Sequence, residues 1–336
     1  MAGWEEYQGS RYIGHRALCS SKSGQVVTAV DKVTGEKVIM KRVAGLSKQV
    51  LREVKLARLL NHENILVPEA FYLQGPTLLK VYPHMDSDLS HVIHRVNDQQ
   101  CQFFLYQLLR GLKYLHGCGL AHRSISPAHL LINSNCELKV GHLETATHLY
   151  RAQAPLRLPE TQRDRWYLSP ERLLGKSGSR EDDMWAVGCV LGEMLAGRVL
   201  FEGETAGEQL REIVSVVEGP GECDLEFFES VFTVEALKHL SKVELNRFSL
   251  LFCEVNPLAR SLLSSLLAFN PSDRFSVAEA LEHEYLSDFH DSEDEPTGEG
   301  LQPELWEGLG DVRKEIEEEK RLWPGKWPEV VRLNSN

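Results

Sequence analysis

The sequence has no paired-cysteine spacing, no long apolar run and no excess of basic charge. Its seven cysteines, Cys19, Cys101, Cys118, Cys136, Cys189, Cys223 and Cys253, are scattered, odd in number and form no CxxC pair. That spacing argues against a disulfide framework and a zinc site and predicts reduced thiols, most of them packing residues. No stretch approaches the roughly 18 to 20 apolar residues that span a bilayer, and the opening MAGWEEYQGS lacks the charged-then-apolar order of a secretory signal. The expectation is a chain without membrane attachment, cytoplasmic or nuclear. Lysine and arginine number 37 against 49 acidic residues, a formal net charge of -12. Nucleic-acid binders normally show a basic patch or stripe, so a basic protein partner is expected instead.

What is present suits an ordered globular chain. Of the 336 residues, 42% are hydrophobic and 26% charged, spread along a length suited to two lobes rather than one small domain. The segments QVVTAVD and EKVIMKRV alternate apolar and polar residues across Lys32 to Gly35, where Thr34 and Gly35 suit a tight turn, so a β-hairpin is predicted. In SKQVLREVKLARLL, Val50, Leu51, Val54, Leu56 and Leu59 recur at helical spacing behind Ser47, a candidate N-cap. A second helix follows from Asp98, with Phe104, Leu108, Leu112 and Leu115 on one face and Gly117 at its end. The run DDMWAVGCVLGEMLAG is apolar nearly all round and reads as a buried helix. A strand-rich N-terminal lobe therefore precedes a helical C-terminal lobe, with the connection near Pro83 to Ser87. The acidic, Pro- and Gly-bearing stretch DFHDSEDEPTGEG reads as a loop leaving the second lobe.

Several segments in order, VIMK, LREVKL, HRSISPAHLLIN, LKVGHLE, SPE and DDMWAVGC, resemble a protein kinase. FFLYQLLRGLKYLH, RWYLSPE, LAGRVLFEGE and FHDSEDEP are similar to mitogen-activated protein kinases, the stress-activated branch most of all. The resemblance covers roughly residues 7 to 310. It implies a bilobal α+β fold with an N-lobe over 1–84, a C-lobe over 85–290, and an acidic docking segment with a C-terminal extension over 291–336.

Phosphoryl transfer needs a positioned base and held phosphates, so each motif position can be set against its task. By resemblance, Lys41 is the phosphate-contacting lysine and Glu53 the helix glutamate that orients it. The base of the family's HRD motif falls on Ser124, whose hydroxyl has no carboxylate-like basicity near neutral pH. The loop lysine falls on Ser126 and the metal-binding asparagine on His129. The DFG motif falls on His142, Leu143 and Glu144, which puts imidazole where magnesium prefers hard oxygen. A paired His129 and His142 transition-metal site is short of the usual three or four zinc ligands, so no metal site is expected.

The remaining family positions are mixed. The phosphate-covering loop keeps Gly14 and Val26 but has no second glycine at the usual spacing, Tyr82 falls at the gatekeeper, and the Met85 amide faces the adenine position. The Thr-x-Tyr activation switch falls on Pro159, Glu160 and Thr161, and Leu168 replaces an arginine of that region. Arg123, Pro170, Glu171, Asp183 and Arg274 match scaffold positions, with Glu171 and Arg274 a buried ion pair in the family. Asp291, Glu293 and Asp294 fall on the family's acidic docking patch, and Val92, Gln100 and Cys136 on the groove beside it. A second acidic docking site of some stress-activated relatives falls on Ser134 and Asn135.

The pattern implies a pseudokinase: not an enzyme, without a cofactor beyond weak ATP binding, with magnesium unsupported. It would act as a non-catalytic binding or scaffold protein for partners bearing basic and hydrophobic docking motifs, such as upstream kinases, phosphatases or substrates. The alternative is a weakly active or unorthodox ATP-dependent serine/threonine protein kinase.

Overall fold

The computed structural model describes residues 11–21, 24–149, 162–176, 179–217, 247–301 and 311–328. The chain divides into two compact units, Met1–Asp86 with Glu304–Asn336, and Ser87–Pro303. The first break lies between Asp86 and Ser87, whereas the N-lobe was expected to end at residue 84. The segment expected to stand apart, 291–336, is instead shared: its first part belongs to the second unit, and the part from Glu304 on belongs to the first.

In the first unit the alternating segments form a five-stranded antiparallel sheet in the order β1-β2-β3-β5-β4, made of β1 (Tyr12–Ser21), β2 (Gly24–Asp31), β3 (Lys37–Ala44), β4 (Ala70–Gln74) and β5 (Thr77–Pro83). The predicted hairpin is β2–β3. Asp31 closes its turn by accepting the Val33 and Gly35 N–H groups, and Gly35 takes the positive φ that glycine tolerates. One sheet face buries Val27, Ala29, Val38, Met40, Leu79 and Val81. The other packs Phe71 and Leu78 on α1 (Lys48–Leu59), whose Val50, Leu51 and Val54 face the sheet. Ser47 caps α1 as predicted, its side chain accepting from the Val50 N–H.

In the second unit, α2 (Asp98–Gly117) starts with a reciprocal Asn97 and Gln100 capping box and buries Phe104, Leu108, Leu112 and Leu115. The left-handed residue after its end is Gly119 rather than Gly117. Gly117 serves another purpose: a Cβ there would stand 2.6 Å from Thr297 and 2.7 Å from the Gly298 carbonyl. α3 (Arg180–Ala196) is buried from Asp182 to Met194, as its apolar run predicts. Arg274 pairs with Glu171, Nη1 to Oε1 2.7 Å, and lies over the Trp185 ring. That pair confirms the scaffold reading of Glu171 and Arg274.

α4 (Val312–Leu322) returns to the first unit and packs on α1. Among the described residues no helix is long and apolar enough to cross a membrane.

Candidate active site

The two units carry separate sets of the predicted residues. In the first unit, antiparallel register brings Val26 opposite Lys41 and Lys41 opposite Lys80. Gly14 lies inside β1, where the register with β2 shifts between Ile13 and Arg16. Gly24 is held for packing: with φ +140°, a Cβ there would meet the Arg42 carbonyl at 2.2 Å. Met85 is buried.

The expected Lys41–Glu53 pair is not what the structure shows. One carboxylate oxygen of Glu53 bonds the Lys80 ammonium and the other accepts from the Tyr82 hydroxyl. The gatekeeper ring is thus anchored at its tip by α1 instead of packing as a plain hydrophobe. Lys80 was missed in the sequence, where the signal was one lysine inside the apolar strand TLLKVYP.

In the second unit the catalytic-loop residues are set by a short hairpin, Leu130–Ile132 paired with Leu138–Val140. Its open end ties the Gly141 N–H to the His129 carbonyl at 2.9 Å, which brings His129 and His142 together. Their rings stack with centroids 4.0 Å apart and planes 3° from parallel. His142 adopts the left-handed conformation, φ 62° and ψ 41°, and its Nδ1 lies 3.5 Å from Glu144 Oε1. His129 Nδ1 lies 2.7 Å from the Ser124 carbonyl and 3.3 and 3.2 Å from the Ser124 and Ser126 hydroxyls. The two family metal positions are therefore filled by stacked imidazoles. Among the described residues no group of three or more His, Cys, Asp or Glu could hold a metal ion.

Asp183 organises the loop from beneath. It accepts the His122 and Arg123 N–H groups at 2.8 and 2.7 Å and pairs with the His116 ring at 3.0 Å. Burial opposes its ionisation, but those bonds and the nearby imidazole charge win and hold its carboxyl below the usual range. They also hold Arg123 at φ 69°, a conformation a non-glycine residue keeps only when its surroundings enforce it. His122 is fully buried, and burial pushes its imidazole down despite the Asp183 charge. Its ring stays neutral, with Nε2 donating to the Gly141 carbonyl at 2.7 Å and Nδ1 accepting from the Ser124 N–H.

At the acidic segment, Asp291, Glu293 and Asp294 are exposed. Asp294 lies 3.2 Å from Arg110, and the buried Glu295 binds Lys113 and His290. Cys136 is half-buried, and its carbonyl accepts from Gln107. The activation-switch positions Pro159, Glu160 and Thr161 lie outside the described residues.

These features define a protein kinase: a protein kinase domain model matches residues 12–286. The chain is 36% identical over 299 residues to Mitogen-activated protein kinase 2 of Pneumocystis carinii, covering 84% of this chain and 85% of the relative. It is 35% identical over 315 residues to Mitogen-activated protein kinase spk1 of Schizosaccharomyces pombe, covering 90% and 83%. It is 37% identical over 289 residues to Mitogen-activated protein kinase 5 of Arabidopsis thaliana, covering 81% and 76%. The chain belongs to the mitogen-activated protein kinase family.

That membership corrects two expectations. A protein kinase domain shared with relatives named as kinases overturns the reading of a chain that is no enzyme, and with it the reading of a chain without a cofactor, since the family takes ATP with magnesium. The substitutions at Ser124, Ser126, His129 and His142 remain, and they bear on how the reaction would run.

Proposed function

We propose that the chain is an ATP-dependent serine/threonine protein kinase of the mitogen-activated type whose general base is the His129 imidazole. The 2.7 Å contact of His129 Nδ1 with the Ser124 carbonyl carries the reading. A carbonyl only accepts, so Nδ1 bears the proton, and Nε2 of the neutral ring keeps its lone pair. Histidine is the most frequent general base of enzymes, and here it replaces the carboxylate that Ser124 cannot supply. Ser124 and Ser126 then hold the ring rather than take the proton themselves. Lys41 would contact the nucleotide phosphates, and Val26 and Met85 would border the base.

The magnesium ion that accompanies ATP takes most of its oxygen ligands from phosphates and water, with one or two carboxylates. Glu144 would be that carboxylate, because the stacked imidazoles of His129 and His142 are unsuited to magnesium. No step is routed through it. Partners would be upstream kinases, phosphatases or substrates whose basic and hydrophobic peptides meet Asp291, Glu293 and Asp294 beside Cys136.

The test is phosphate transfer from magnesium ATP to a serine/threonine peptide by the purified full chain. Wild type exceeds a mock preparation, Lys41→Met abolishes transfer, and His129→Ala lowers it about a hundred- to ten-thousand-fold. No transfer above the mock overturns the kinase reading in favour of a non-catalytic binding protein. Transfer indifferent to His129→Ala overturns the base assignment alone.

A further inference from the structure

Residues two apart in a strand project to the same face, so β5 turns Leu78, Lys80 and Tyr82 together. Leu78 packs against Val50, Leu51 and Val54 of α1. The apolar contact between sheet and helix thus continues into a lysine and a tyrosine. Lys80 is only 2% exposed, and an ammonium buried to that extent requires a partner. It has Glu53, itself 4% exposed, whose second oxygen is taken by Tyr82. Directly opposite residues of paired strands also share a face, and Lys80 stands opposite Lys41. Two lysines on adjacent strands therefore leave the sheet side by side, and it is the β5 lysine that holds the helix carboxylate.

We infer that Lys80 is a positioning residue of the nucleotide half-site, fixing Glu53, and through it α1, against the sheet, while Lys41 serves the phosphate. The two tasks that the family gives to one lysine are divided here between neighbours. The task of Lys41 rests on the kinase reading above; the coupling of Lys80 to Glu53 does not.

Thermal unfolding of the full chain tests the coupling. Glu53→Gln and Lys80→Met each strand a buried charge and lower the melting temperature. Their double variant leaves no buried charge, melts no lower than the worse single variant, and guards against a single variant that fails to fold. Lys41→Met and Glu53→Gln, in contrast, add. Additive losses for Lys80 and Glu53, or coupling of Glu53 to Lys41 instead, overturn the inference. Transfer kinetics separate positioning from plain packing. Lys80→Met lowers kcat at least about tenfold with the KM for ATP within about twofold, and Lys80→Arg recovers most of kcat. A Lys80→Met variant that raises the KM for ATP with kcat unchanged, and that arginine does not restore, overturns the positioning role. If wild type transfers no phosphate, the kinase reading fails, and the unfolding cycle still decides whether Lys80 fixes Glu53.

Discussion

Arg58 Nε lies 2.7 Å from Glu319 Oε2, although 261 residues separate them. With the neighbouring Lys55–Glu315 contact at 2.8 Å, it fastens α4 to the helix that carries Glu53. The apolar share comes from Ile316, fully buried, and from Trp327, whose ring stacks on Phe71 with centroids 4.9 Å apart.

Trp327→Ala should therefore destabilise the protein more than Glu319→Gln. Truncating a buried aromatic costs about 3–5 kcal/mol. The Glu319 carboxylate is buried, but its partner Arg58 reaches solvent, so the amide costs less, about 1–3 kcal/mol. Urea unfolding midpoints of the two variants check the order. Equal, small losses would mean that the C-terminal segment contributes little to the first unit.

Stability should begin to fall as pH drops below the ordinary imidazole value of 6.5, because burial pushes His122 down. The unfolded chain takes up that proton near 6.5, the folded chain only lower, so the contribution is present above 6.5 and is lost as pH falls through the folded value. Glu171 and Asp183, whose folded carboxyls are lowered, lose theirs further into the acid range. Urea midpoints followed from neutral pH to about 5 should show the decline, with a shallower slope in His122→Gln. Some slope should remain, since burial also lowers His283. An unchanged slope in the variant would show that His122 titrates alike in both states.

What was legible in the sequence was local. The Ser47 cap, the apolar face of α1, the β2–β3 turn and the losses at Ser124 and His142 all lie within a few residues of the signal that reveals them. Lys80 was not legible as a partner of Glu53, because the two meet only once strand register places Lys80 over α1. The stacking of His129 on His142 was hidden for the same reason, since it depends on where a hairpin closes. VRKEIEEEKRL is mostly charged, and only the positions of Lys55 and Arg58 show that two of its glutamates are paired.

Ser124→Asp should raise phosphate transfer by the full chain. It restores a carboxylate where the family places its base, and positioned general bases contribute about a hundred- to ten-thousand-fold. The gain should be larger in a His129→Ala background, where the substitution faces no competing base. Steady-state rates with magnesium ATP and a peptide acceptor check this. Loss of transfer on introducing the aspartate would show that the Ser124–His129 arrangement is required as it stands.

The docking segment gives the last prediction. Asp291 and Glu293 are exposed, whereas Asp294, also exposed, already faces Arg110 at 3.2 Å. A basic peptide must compete with Arg110 for Asp294 but not for the other two to the same degree. Asp291→Asn with Glu293→Gln should therefore weaken a docking peptide several-fold, and Asp294→Asn should weaken it less. Exposed pairs contribute about 0.2–1 kcal/mol each, and salt should weaken wild-type binding more than that of the double variant. Fluorescence anisotropy with a labelled basic and hydrophobic peptide, at low and then raised salt, measures both effects. Equal affinity of wild type and the double variant at low salt would show that this acidic loop is a solvated surface and that partners are bound elsewhere.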